Sequence, residues 1–406
     1  MRWRFFDSTN KSECRQREET LVRIDDWWKA FAAKTDSLSA LFANKARWDL
    51  ADWMELHLQA IHPSLMWEFG PGVKGSGHRL VITPESAHHL RPLVGAILER
   101  APTLPGWEFY PYRLAENLEE TQATVQGRTG SDIGEYQVRL CRGEFQRIDL
   151  CYAAPDVNGS DDQEALNAAF VATESLLGEE LLDCWIGAVE VANLQDEADR
   201  RSASRPGTAR PARFMPLERL RDNVQALIAS MREQLPERPH FERMEGAEWT
   251  AWELTPGEDA EPFEQQDLLV ARSVNPDLWM AAHSGFLFFS ERFSRCGETF
   301  CYLKWDIRRG MGDARFKEKA ELEDAVDEVL MPGRLGCTIG GGTGSRYSYT
   351  DLALVDVAGG IEAIRRRLRE GNICKEAWIQ FLDADLGAEW IGIYDDSPPP
   401  PIRFEE

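Results

Sequence analysis

No apolar run of about 18 residues, the least that crosses a bilayer as a helix, occurs in the 406-residue chain. A membrane is therefore not an expected partner. The opening MRWRFFDSTNKSE carries charge but no apolar core of a secretory signal, and no leader is expected there. Positive charge is scarce: 46 Lys and Arg face 69 Asp and Glu, a formal net charge of −23. So acidic a chain lacks a general grip on phosphates, so nucleic acid is not an expected partner. The eight cysteines form no C-x-x-C and no zinc-like pairing. They are expected as buried, reduced thiols that pack as small hydrophobes, which points to the cytoplasm.

Catalytic and cofactor signatures are missing as well. There is no G-x-S-x-G, no H-E-x-x-H and no Cys–His pattern. The glycines Gly340, Gly341, Gly342 and Gly344 invite comparison with a phosphate loop. A phosphate loop needs a following Lys and a helix N-terminus, and here the glycines join two strand-like runs. They are expected to form a mobile hairpin loop, as is the stretch 70–78, with no nucleotide bound. Five of the seven histidines lie close together in sequence: His57, His62, His78, His88 and His89. On a helix His57 and His62 diverge by about 140°, so they do not converge on a metal. Asp383-Ala384-Asp385-Leu386-Gly387 begins like a calcium loop but lacks the third acidic position and the closing Glu. No metal and no cofactor is expected.

What the chain does have is core material and periodicity. Hydrophobic residues make up 43% and charged residues 28%, with 14 Trp and 19 Phe, a globular composition large enough for two domains. Residues 18–61 read as a helical lead-in: two short helices over 18–42, then one over 49–61 with Leu50, Trp53, Met54 and Leu58 on one face. The stretch 65–113 then reads strand, strand, helix, strand. The helix runs from about 91 to 101, and Pro111 marks an edge. The stretch 133–191 repeats that order. Two alternating runs flank Gly143, a helix carries Leu166, Ala169, Phe170, Leu176 and Leu177, and a strand is expected over 184–191. Residues 192–213, with five Arg and two Pro, read as a linker. A helix follows from Pro216, then strands over 248–254, 267–273, 279–289 and 299–307. From Thr299 onward the order is strand, helix, strand, strand, helix, strand, which is ferredoxin-like. The expected fold is α+β: an N-terminal domain over 1–191 and a C-terminal domain over 214–396, each a mainly antiparallel sheet with helices on one face. A Pro-rich tail, 397–406, closes the chain.

Part of this pattern resembles a known family. Arg79-Leu80-Val81-Ile82-Thr83, Ala101-Pro102-x-Leu104-x-Gly106-Trp107-x-Phe109 and Leu176-Leu177-Gly178-Glu179 are similar to motifs of an uncharacterised family of bacterial proteins. The resemblance covers about 65–191 and implies no activity and no catalytic residue.

Function is read here as non-enzymatic. The chain is expected to bind another protein, with an inhibitor or immunity-like role, and its acidity favours a partner with a basic surface. The alternatives are an enzyme with an unfamiliar site around His78, Arg79 and Arg113, or a small-molecule sensor using Trp67 or Trp378. With Arg346 these residues form the candidate surface.

Overall fold

The computed structural model describes residues 2–154, 157, 162–194, 213–256, 265–310 and 314–401. Most of the expected linker 192–213 and the last tail residues, 402–406, lie outside the described residues. The fold is α+β, with eleven helices and fourteen strands in three mainly antiparallel sheets among the described residues.

Helix α1 (Lys11–Phe42) is one continuous element, where two were expected. The polar stretch Lys34 to Ser37 contains neither Gly nor Pro, and the buried stripe runs on to Leu38. The Asn10 side chain caps it, accepting from the backbone N–H groups of Ser12 and Glu13. Helix α2 (Leu50–His57) follows. Strands β1 (Met66–Pro71) and β2 (His78–Thr83) form an antiparallel hairpin, so the expected 70–78 loop shortens to 72–77. Helix α3 (Arg91–Glu99) takes Pro92 within its first turn, where no N–H is needed. Strand β3 (Trp107–Tyr110) then pairs parallel to β2. Trp27, Trp28 and Phe31 of α1 share a core with Leu80, Ile82, Val94 and Ile97.

Helix α4 (Leu118–Thr129) was not anticipated, because it buries only Thr121 and Val125. Its ends were legible all the same: Asn117 and Glu120 form a capping box, and Gly130 closes it at φ 76. The second strand–strand–helix–strand unit comprises β4 (Gln137–Arg142), β5 (Ile148–Ala154), α5 (Gln163–Leu177), α6 (Glu179–Trp185) and β6 (Ile186–Asn193). As in the first unit, the hairpin is antiparallel and the strand after the helices returns parallel. The two units do not share a sheet. Cys184, expected at the start of a strand, ends a helix instead. Strand β7 (Met215–Pro216) adds to β4, and α7 (Leu220–Gln234) follows.

The third sheet has seven strands: β8 (Thr250–Glu253), β9 (Leu268–Ser273), β10 (Thr299–Asp306), β11 (Gly336–Gly344), β12 (Tyr347–Leu354), β13 (Ala377–Phe381) and β14 (Trp390–Gly392). The order is β14-β13-β10-β12-β11-β9-β8, antiparallel throughout. Its centre, β13-β10-β12-β11, has the ferredoxin-like arrangement. Helices α10 (Lys319–Leu330) and α11 (Val357–Glu370) pack on one face against Leu303, Trp305, Leu352 and Ile379. The short α9 (Ile307–Gly310) continues β10. The expected strand 279–289 is a helix at its start, α8 (Pro276–Ala282). The Asn275 cap and Pro276 in the first turn are start signals that the apolar run obscured.

The expected Gly-rich hairpin loop at 340–346 is also corrected. Gly340 to Gly344 belong to β11 inside the sheet, and only Ser345 and Arg346 remain as the connection. Glycine is needed there for close packing of strands. A Cβ on Gly341, at φ 133, would stand 2.2 Å from the Tyr349 carbonyl oxygen, and one on Gly342 2.4 Å from that of Val270.

Contacts gather the chain into two units with discontinuous membership. Unit 1 comprises Met1–Pro111, Arg238–His283 and Cys296–Glu406; unit 2 comprises Tyr112–Glu237 and Ser284–Arg295. The boundary at 191 to 214 read from the sequence falls inside unit 2.

Candidate functional site

The six residues singled out in the sequence do not gather in one place. In unit 1, Trp67 packs into the first core, its ring 5.6 Å from that of Phe69. His78 lies between Phe42 and Trp107, with ring centroids 5.2 and 5.1 Å away. Arg79 pairs with Glu68 at 3.2 Å. In unit 2, Arg113 pairs with Glu174 at 2.6 Å, and the same carboxylate takes Arg128 at 2.9 Å. Only Arg346 and Trp378 meet around a common group. The Arg346 guanidinium lies 4.9 Å from the Tyr347 ring, and the Trp378 ring 6.3 Å from it.

That ring belongs to the sheet face turned away from α10 and α11. Tyr302, Tyr347, Tyr349 and Trp378 pack there with Leu268 and with Trp279 of α8. Lys304 is fully buried among them, its ammonium 4.5 Å from the Tyr347 ring. Asp267 holds the β11–β12 turn. Its carboxylate accepts from the backbone N–H groups of Arg346 at 2.8 Å and Tyr347 at 3.0 Å, and from the Tyr349 hydroxyl. Burial pushes the Asp351 carboxyl up to about 6, against weaker opposing effects of Lys319 and Gln265. Sequence reading missed these buried polar groups because alternation along a strand does not say which face meets water.

An exposed aromatic arrangement lies in unit 2. The β4–β5 connection is a tight turn with Phe145 at φ 55 and Gln146 at φ 59, closed by Arg147 N–H donating to the Glu144 carbonyl at 3.1 Å. This geometry normally selects Asn-Gly. An L-residue held there costs about 1 kcal/mol or more. Phe145 lies 6.4 Å from the ring of Phe286, which is 52% exposed. The Arg147 guanidinium sits 3.9 Å from the Phe286 ring and donates to the Leu287 carbonyl at 3.1 Å. Its burial lowers its pKa to about 10.

The turn is tied to the end of α7, the helix that forms one wall of a groove. Arg142 donates to Gln146 at 2.6 Å and to Gln234, the last residue of α7, at 2.5 Å. Two residues earlier on α7, Arg232 lies 5.1 Å from the Trp185 ring and pairs with Glu291. Trp185, Cys184, Leu181 and Ile228 line a groove of 430 Å³ between α6 and α7. The turn exposes Phe286 with Arg147 against its ring, while Trp185 in the groove wall is buried under Arg232. Arginine is among the side chains enriched where binding energy concentrates at protein interfaces.

Among the described residues no group of three or more His, Cys, Asp or Glu is placed to hold a metal ion, and no helix is long and apolar enough to cross a membrane. Comparison with known proteins finds no matching family model, no matching curated protein and no matching solved structure.

Proposed function

We propose that this chain acts by binding another protein through the unit 2 surface formed by the Phe145 turn, Phe286 and the α6–α7 groove, as an inhibitor-like module. The observation that carries this reading is the turn. Two non-glycine residues are held at positive φ, and the larger, Phe145, stands beside a half-exposed Phe286 braced by a buried arginine. Strain of this kind persists where the surrounding structure enforces it, commonly at functional positions. The net charge of −23 adds steering toward a basic partner.

The test is affinity capture from the native host at low and high salt, with the full chain and its Phe286→Ala variant. One stoichiometric partner, weakened by salt and bound at least about 30-fold more weakly by the variant, is the expected result. A partner whose affinity is unchanged by Phe286→Ala and by Phe145→Ala refutes the assignment of this surface. If no partner is captured and a substrate screen finds turnover, the binding reading itself is wrong.

A further inference from the structure

The Pro-rich end of the chain occupies a defined place in unit 1. After β14 the chain reverses in a turn closed by Ser397 N–H donating to the Tyr394 carbonyl at 3.2 Å, with the Ser397 hydroxyl accepting from Tyr394 N–H at 3.1 Å. The turn is anchored by charge. Asp395 accepts from Arg365 at 2.6 Å and Arg369 at 2.7 Å, and Asp396 pairs with Lys375. The returning chain meets β13, where the Trp378 indole N–H donates to the Pro398 carbonyl at 2.5 Å and Pro400 is buried. Gly392, the cross-strand partner of Trp378, leaves room for this path. A Cβ there would stand 2.6 Å from that of Ser397. On the same face lies Trp390, with the Arg2 guanidinium 3.7 Å from its ring, and Tyr347 flanks Trp378.

An indole donating to a proline carbonyl beside further aromatic rings is the chemistry by which aromatic-lined grooves take extended proline-rich segments. The segment is already stiff, so little order is lost on binding. We infer that the aromatic edge around Trp378 is a recognition site for proline-rich peptides, kept closed by the chain's own Ser397–Pro401 segment. The tethered segment competes at an effective concentration on the order of millimolar, so a proline-rich partner gains access when the tail is drawn away. This site is separate from the unit 2 surface and does not depend on it.

The test uses a fluorescent decaproline peptide and the full-length chain. In one variant Pro398→Gly, Pro399→Gly, Pro400→Gly and Pro401→Gly are combined; in a second, Gly392→Val displaces the turn. Circular dichroism checks that both keep their fold. At least one folded opened variant is expected to bind decaproline about tenfold or more tighter than the unaltered chain. Adding Trp378→Phe, which keeps a ring but removes the indole donor, is expected to abolish the gain. The inference is overturned if neither opened variant binds more tightly, if a Gly-Ser peptide of equal length binds as well, or if Trp378→Phe leaves the gain intact.

Discussion

Two residues carry conformational or electrostatic cost that substitution can release. Gln146 sits at φ 59 in the β4–β5 turn, where glycine is free of the Cβ penalty. Gln146→Gly is expected to raise stability by about 1 kcal/mol in urea unfolding, with partner binding unimproved. A lower midpoint would show that the Arg142 hydrogen bond outweighs the strain. Asp351 is the second. Its carboxyl is pushed up to about 6 from 3.8 by burial, so the folded state holds its proton more tightly than the unfolded state does. Stability from this group is therefore present at low pH and is lost as pH rises through about 4 to 6, by about 3 kcal/mol in all. Asp351→Asn should flatten that slope and unfold no more easily than the parent at pH 8. A steeper slope would mean that other groups set it.

At the scale of elements, polar interruptions and glycine runs misled more than apolar stripes did. The stripes of α5, α7, α10 and α11 were readable because each helix buries one face. In α1 two short helices were expected over 18–42, but the polar stretch Lys34 to Ser37 stays helical because the buried stripe resumes at Leu38. In β11 the glycines looked like a loop. They serve instead as the thin strand that lets β9 and β12 approach on either side. Gly341→Val should therefore cost more than about 3 kcal/mol, or prevent folding, because its side chain meets backbone that cannot move aside. A loop glycine would tolerate the change within about 1 kcal/mol, so a denaturant titration separates the two. The candidate turn was half legible: Gly143 marked a hairpin, but nothing in Glu144-Phe145-Gln146 signals a turn with positive φ.

At the scale of the molecule, unit 1 is assembled from three separated segments and unit 2 from two. The start of the chain is bound by its distant end. The Glu389 carboxylate accepts from the backbone N–H groups of Trp3, Arg4 and Phe5 at 2.6, 3.0 and 2.8 Å, and Arg2 donates to the Trp390 carbonyl at 2.7 Å. Fragments 1–191 and 214–396 made separately each lack part of both units. They are expected to show no cooperative unfolding transition alone and to regain one when mixed. A fragment 1–191 that unfolds cooperatively at the midpoint of the whole chain would restore the linear division. Glu389→Ala in the full chain should loosen the first residues, seen as faster amide exchange at Trp3 to Phe5 with the rest of the chain unchanged.

Local order is what the sequence determined by itself. Period and turn chemistry act over a few residues, so they specified the α+β class, the two strand–strand–helix–strand units and the ferredoxin-like succession after Thr299. The tertiary structure alone decided which residues meet. The pairing of β9 with β11, the burial of Lys304 among tyrosines, the hold of Glu389 on the first residues and the seating of Pro398 on Trp378 join positions tens to hundreds of residues apart. Such contacts depend on the packing of whole faces, and a one-residue change of register would have turned each of these strands the other way.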